Sequence, residues 1–398
     1  MNRQIEKLYQ LSAKPTRHII GLMSGTSLDG LDIALCSISH SGQNTMLSVR
    51  NFTTLPYDEA FRQRIRTIFA KRTIDQQLLS GLHAYVGTTH AELILQALTS
   101  WNIDTADVDC IASHGQTVFH APQRLTNDSS YPNSTLQIGD ADHIAIKTGI
   151  ITLSDFRQKH IAAGGEGAPL AAYGDYLLFR HEHENRFLLN IGGIANFTFL
   201  PAKNVELKAY ATDLGPGNTL MNQYMKASFD KEMDEDAAVA KQGSVNPSLL
   251  ASLCNHPFFN EAFPKTTGPE LFSLMYLQAA QQHSHTENLQ ATDIMATLNR
   301  FSAITIANGI LQQAQGLTNV AVFVSGGGLH NPLLLAHLRA LLPAFNVTSF
   351  AQLGLDPDAK EACLFAILAN ETLAGSTQHV DQIKDSPAVC MGKISLPY

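Results

Sequence analysis

One short plan is used twice in this chain. From His18 to Ile38 an apolar strand runs into a turn of Gly, Ser and Thr and out along a second apolar strand; from Phe187 to Leu200 the same plan returns around Gly192-Gly193. Strand-length apolar runs joined by such turns read as hairpins. Two like hairpins about half a chain apart predict a duplicated domain. Each copy then needs its own sheet and core, and 398 residues with 44% hydrophobic content can fill two.

Between the hairpins, helical spacing spans Tyr57–Phe69 and Gln76–Ser100, and a strand at Val108–Ala112 runs into Ser113-His114-Gly115-Gln116-Thr117. A further strand, Ile150–Leu153, leads to Asp155-Phe156-Arg157, and the Gly-rich segment Ala162–Pro169 interrupts the pattern most strongly. The division expected is a loose leader over 1–17, a first domain over 18–155 and a second over 156–398, with part of the 356–398 tail packing back on the first. Beyond the second hairpin, Tyr210–Leu214 is a strand, Asn218 caps a helix carrying Leu220, Met221, Tyr224, Met225 and Phe229, and Asn319–Val324 is a buried-type strand. Asn331 and Pro332 open the next helix, and the last, opening at Asp356-Pro357, is apolar nearly all round from Ala362 to Ala369, so it should lie between layers. Alternating strands and helices make the class α/β.

The net charge of -8 carries no long run of one sign, which argues against a nucleic-acid footprint or a polybasic membrane anchor. The longest apolar stretches, such as Leu333–Leu342, fall short of a bilayer span. Five scattered cysteines without a CxxC pair read as reduced, buried thiols. Of the 16 histidines no pair has metal spacing; His181 and His183 read as solvated, and His114 as ordering a strand end.

Chemistry concentrates in three Gly-rich turns that follow strands: Ser24–Gly30, Asp213–Asn218 and Ser325–Gly328. Glycine lets backbone N–H groups approach a phosphate, hydroxyls add donors, and a following helix adds partial positive charge. Together the turns can clasp a polyphosphate with few lysines. They form neither a Walker loop nor a dinucleotide fingerprint. Asp213, at the mouth of such a turn, reads either as a general base or as a turn cap. Asp29 and Asp32 either orient the loop or hold a metal-bound water, with solvated turn acids as the plain alternative.

The run Gly21–Asp32 resembles the signature of the anhydro-N-acetylmuramic acid kinases, and similar motifs follow in order at 113–117, 136–140, 155–157, 164–170, 189–196, 213–218 and 325–331. The resemblance implies two related actin-like (ribonuclease H-like) domains with ATP in the cleft between them. It assigns Gly25, Thr26, Ser27, Leu28, Asp29, Gly30, Leu31 and Asp32 to a first phosphate loop and Gly215, Gly217 and Asn218 to a second. Gly326, Gly327, Gly328 and Asn331 fall beside the nucleotide, Asp213 at the catalytic aspartate, and Thr117, Arg157 and Glu361 at the sugar, with Arg157 suited to its lactyl carboxylate. His160 and Glu166 depart from the family's usual Asp and Gln. The implied reaction consumes ATP, water and the anhydro sugar and yields ADP and N-acetylmuramic acid 6-phosphate; Mg²⁺ is expected with ATP, its ligands unassigned, in a cytoplasmic homodimer. The same cleft would also serve an ordinary sugar-hydroxyl kinase or an ATP-driven switch; the switch is disfavoured because no peptide-binding domain or filament-type insertion is evident.

Overall fold

The computed structural model describes residues 2–126 and 129–398. It divides into two compact units, one holding the residues up to Leu178 together with Asp358–Tyr398, the other Phe179–Pro357.

In the first unit β1 (Thr16–Ser24), β2 (Gly30–Ser39) and β3 (Met46–Pro56) form an antiparallel meander. On the other side of β1 lies β4 (Cys110–Ala121), parallel to it; β5 (Ser134–Ile138) pairs antiparallel with the far half of β4, and β6 (Thr152–Ser154) lies parallel to the near half. The strand alternation decides what covers each face. Ile20, Leu22, Ile33 and Leu35 share one core with Leu82, Val86 and Ile94 of the helix Gln76–Trp101. That helix starts at Asp75, whose carboxylate accepts the Leu78 N–H, and stops at Asn102 in the left-handed region. The opposite face carries Gly21 and Cys36 against the helix Lys360–Ala374, where Cys36 Sγ lies 3.6 Å from Cys363 Sγ. A Cβ at Gly21 would sit 1.9 Å from the Ala362 carbonyl oxygen, so glycine is what lets this helix lie on the sheet.

The second unit repeats the plan. β7 (Asn185–Ile191), β8 (Ile194–Leu200) and β9 (Tyr210–Pro216) form the meander, and β10 (Val320–Ser325) then β11 (Asn346–Ser349) continue parallel to β7. Its order β11-β10-β7-β8-β9 matches β6-β4-β1-β2-β3 of the first sheet strand for strand, in direction as well as sequence. The duplicated α/β architecture expected from the two hairpins is therefore present. By length and composition the helix Ala291–Gln313 could cross a bilayer, but Met295, Phe301, Ala303, Ile306 and Ile310 are all buried in the cores of this unit.

Three expectations need correcting. The leader is not loose: Arg3–Ala13 is a helix capped by Asn2, β1 already begins at Thr16, and Arg17 is buried with its Nε donating to Asn370 Oδ1 at 2.8 Å. Residues 113–117 do not end a strand; they lie within β4, because β5 supplies a new partner for its far half and the polar side chains find partners of their own. The division between units falls after Leu178 and not at 155/156. The helix Ala171–Phe179 packs within the first unit through Asp175 with Lys360 (2.8 Å) and the Gln43 amide donating to the Tyr176 hydroxyl (2.8 Å). The tail belongs to that unit as well: β12 (Lys393–Ser395) pairs antiparallel with β6.

Candidate active site

The first hairpin stays in register as far as Ser24 opposite Leu31. In the loop between, Leu28 takes φ 62 and turns into the core, its N–H closing on the Gly25 carbonyl, while Thr26, Ser27 and Asp29 are exposed. The Thr26 and Ser27 amides have no backbone acceptor among the described residues. Space at Gly25 is open, whereas a Cβ at Gly30 would lie 2.5 Å from the Leu55 carbonyl oxygen. Leu31 is core and Asp32 is half-buried, accepting the Thr54 hydroxyl at 2.6 Å. Burial pushes the Asp32 carboxyl up; the Thr54 bond opposes this, and Asp358 and Asp29 add to it.

A directed chain of hydrogen bonds supports this loop from below. Tyr57 OH donates to Ser24 Oγ (2.8 Å), Ser24 to Gln116 Oε1 (2.5 Å), and Gln116 Nε2 to the Gly25 carbonyl (3.3 Å). With its proton so committed, Tyr57 can only accept from His90 Nε2, 2.9 Å away. His90 is completely buried, which lowers its pKa to about 3 and keeps the ring neutral.

The three residues assigned to the sugar all lie in the first unit. Arg157 Nε donates to His114 Nε2 (3.0 Å) and Nη1 to the Gly167 carbonyl (2.7 Å). Burial lowers the guanidinium to about 10, opposed by Glu361; burial raises Glu361, opposed by Lys360, raised further by Asp32 and lowered by Arg157. Glu361 thus feels the charges of both Asp32 and Arg157. Thr117 Oγ1 accepts from Gln137 Nε2 (3.1 Å), which leaves the hydroxyl proton to be donated elsewhere. The Gln137 Oε1 is buried without a partner among the described residues. The two departures hold the loop beside these groups: His160 Nδ1 accepts the Gly167 N–H (2.9 Å), and Glu166 pairs with Arg124 (2.7 Å). Burial, then Arg157, lowers His160 to about 4 against the pull of Glu166.

In the second unit three turns meet at the ends of β7, β9 and β10. Asp213 lies inside β9, and a bulge follows it: Asn196 faces Asp213 while Ala195 faces Gly215, so Leu214 is the extra residue. The bulge carries Gly215 at φ 130 and re-aims the strand just where the carboxylate sits. Asp213 is further held by residues 265–267, its N–H donating to the Lys265 carbonyl (3.0 Å) and its Oδ2 accepting the Thr267 N–H (2.9 Å). The amides of Gly217 and Asn218 point back into the protein, onto the carbonyls of Gly193 and Gly192, both at 2.8 Å. A Cβ at Gly217 would lie 2.4 Å from the Gly192 oxygen. The Asn218 side chain does not cap its helix; Nδ2 donates to the Ile191 carbonyl (3.3 Å).

Gly192 and Gly193 themselves make no backbone N–H hydrogen bond among the described residues. They are the counterpart, in the second hairpin, of Thr26 and Ser27 in the first. The family resemblance assigns no role to this tip; the repeat of the hairpin is the sequence signal that extends the first loop's role to it. In the third turn Gly326 (φ 79) and Gly328 are required by packing, since a Cβ would lie 2.5 Å from Asn190 Oδ1 and 2.3 Å from Ile191 Cγ2 respectively. Gly327 is open, with Asn218 Nδ2 nearest at 3.6 Å. Asn331 caps the helix Pro332–Leu341, accepting the Leu334 N–H at 3.0 Å.

The family model described as Anhydro-N-acetylmuramic acid kinase matches residues 17–392. The chain is 53% identical to the anhydro-N-acetylmuramic acid kinase of Pseudoalteromonas atlantica over 402 residues, covering 100% of both proteins. It is 52% identical to that of Pseudoalteromonas translucida, covering 99% of each, and 35% identical to that of Caldanaerobacter subterraneus subsp. tengcongensis, covering 98% of this chain and 100% of the relative. With the motifs at 21–32, 113–117 and 213–218 all in place on a duplicated α/β framework, the chain belongs to the anhydro-N-acetylmuramic acid kinase family.

Proposed function

We propose that the chain is an ATP-dependent kinase of cell-wall recycling that acts on 1,6-anhydro-N-acetylmuramic acid, opening the anhydro bridge with water as it phosphorylates the 6-oxygen, to give N-acetylmuramic acid 6-phosphate and ADP. The observation that carries this reading is the placing of Asp213. Its carboxylate is fixed by the Thr267 amide, beside a bulge that leads directly into the glycine turn 215–217.

Asp213 takes a proton from water as the water oxygen bonds to the anomeric carbon. The bond from that carbon to the 6-oxygen breaks, and the 6-oxygen accepts the γ-phosphoryl group. Amides at Gly25 to Ser27 and at Gly192-Gly193 hold phosphate oxygens, supported by Gly327 in its open turn. Arg157, Thr117, Glu361 and Gln137 hold the sugar, with the guanidinium on the lactyl carboxylate and the Thr117 proton on a sugar oxygen. Mg²⁺ would be carried by the ATP phosphates and would supply positive charge against theirs; among the described residues no three His, Cys, Asp or Glu side chains gather as a metal-holding group. Asp29 and Asp32 fit the waters such an ion carries: the carboxyl of Asp32 is crowded by Asp29 and Asp358, a repulsion a cation relieves.

A cytoplasmic location fits the five free cysteines, and a homodimer follows from the family resemblance, to be checked by the mass in solution. Asp213→Asn tests the central assignment. The amide keeps the size and can still accept the Thr267 N–H, but it takes no proton. Turnover of the anhydro sugar is expected to fall about 10²–10⁴-fold, with ATP binding and melting temperature held. Near wild-type product formation in ¹⁸O-labelled water, with label at the anomeric carbon, would assign the base elsewhere.

A further inference from the structure

Thr267 stands 54 residues beyond Asp213 in the chain, yet its N–H lies 2.9 Å from Asp213 Oδ2. Its side chain presents a second, separate observation: Oγ1 is buried and has no hydrogen-bond partner among the described residues. Buried hydroxyls are ordinarily satisfied, so one that is not points to a group that arrives with the reaction. Covalent bond lengths keep Oγ1 within about 4 Å of its own nitrogen, hence within roughly 7 Å of the Asp213 carboxylate oxygen. One water at ordinary hydrogen-bond lengths bridges oxygens up to about 5.6 Å apart, a separation that lies inside that bound.

The segment that carries Thr267 is anchored firmly enough to aim it. Lys265 exchanges hydrogen bonds with Thr212, its N–H to Thr212 Oγ1 (2.9 Å) and the Thr212 hydroxyl to its carbonyl (3.2 Å). Its ammonium is buried, donates to the carbonyls of Phe258 (2.7 Å) and Phe259 (3.2 Å), and faces the Phe258 ring at 4.5 Å.

We propose, resting on the assignment of Asp213 as base, that Thr267 is a further catalytic residue for the hydrolytic step. Its Oγ1 accepts a hydrogen bond from the water O–H whose proton Asp213 does not take. One water proton passes to the Asp213 carboxylate, the water lone pair forms the bond to the anomeric carbon, and the electron pair of the breaking bridge leaves on the 6-oxygen, which takes the phosphoryl group from ATP. The remaining proton stays on the new anomeric hydroxyl, directed at Thr267. With the water held at two points, its lone pair faces the carbon.

Thr267→Val removes the hydroxyl and keeps both the shape and the amide; Thr267→Ser keeps the hydroxyl. Val is expected to lower kcat about 10- to 100-fold, the worth of a hydrogen bond to an ionising group. KM for ATP and sugar should stay within about twofold, the pH limb belonging to Asp213 should hold because the amide remains, and Ser should restore most of the rate. Added methanol supplies a readout that a structural role would not move. Methanol has a proton for Asp213 but none for Thr267, so wild type should favour water strongly and the Val variant should form proportionally more methyl glycoside phosphate. Thr267→Ala serves the same comparison if Val fails to fold. Wild-type kcat and an unchanged water-to-methanol ratio in the folded Val or Ala variant would overturn the inference while an inactive Asp213→Asn keeps the base assignment; an active Asp213→Asn would overturn both.

Discussion

Two donors of Arg157 are engaged by its own chain, on His114 and on the Gly167 carbonyl, so the residue binds a ligand with what remains of its planar fork. That division predicts how substitutions behave. Arg157→Ala should weaken the sugar by roughly 2–5 kcal/mol, the range for truncating one partner of a buried charge pair, while the ATP constant barely moves. Arg157→Lys should rescue little of this. A single ammonium cannot reach His114, Gly167 and a carboxylate together. Titrating each variant with sugar and, separately, with ATP checks the assignment; a sugar affinity untouched by either change would make Arg157 a loop support only. Glu361 and Asp32 share the neighbourhood, and burial raises both. Their repulsion leaves Arg157 the nearby charge that eases Glu361 downward, after Lys360.

Within the elements, the third glycine turn separates structural from functional glycines by space alone. Gly328→Val would drive its Cβ against Ile191, 2.3 Å away, and should destabilise the fold by about 1–3 kcal/mol as an overpacked site. A Cβ at Gly327 meets nothing closer than 3.6 Å, so in Gly327→Val the melting temperature should hold while ATP affinity falls. Thermal unfolding and ATP calorimetry on the two variants test this; an unchanged ATP affinity in folded Gly327→Val would remove that turn from the nucleotide. Local chemistry made these turns legible from sequence, as it did the two hairpins, the Asn331 cap and the helix from Gln76, because glycine, capping and periodicity act over a few residues. What stayed illegible depends on partners far along the chain. The extension of β4 needs β5, the burial of Arg17 needs Asn370, and the hold on Asp213 needs Thr267. No local pattern shows that the Gly217 and Asn218 amides turn inward onto Gly192 and Gly193.

At the scale of the whole molecule the two units repeat one strand order but differ in what they bury, and the first carries three histidines that are almost fully enclosed: His90, His114 and His160. Burial is the largest cause in each, lowering them from 6.5 to about 3, 3 and 4. In the unfolded chain they take up protons near pH 6.5; in the folded chain they resist until pH 3–4. Between those limits the unfolded state binds more protons, so stability is full above pH 6.5 and is lost progressively as pH falls toward 4. Each histidine contributes up to about 1.4 kcal/mol per pH unit in that window. Asp32 and Glu361 act in the opposite sense, since their raised pKa values let the folded state hold protons that the unfolded state releases. Fewer groups act that way, so the histidines should dominate, and the net loss from about pH 7.5 to 5.5 should be about 2–4 kcal/mol. Urea unfolding at a series of pH values measures it directly, and His90→Gln provides the control. That variant should flatten the slope by about a third, because one of the three proton uptakes is gone. A midpoint independent of pH across this range would mean that the three rings exchange protons in the folded chain as freely as when unfolded, and their burial would then contribute nothing to acid sensitivity.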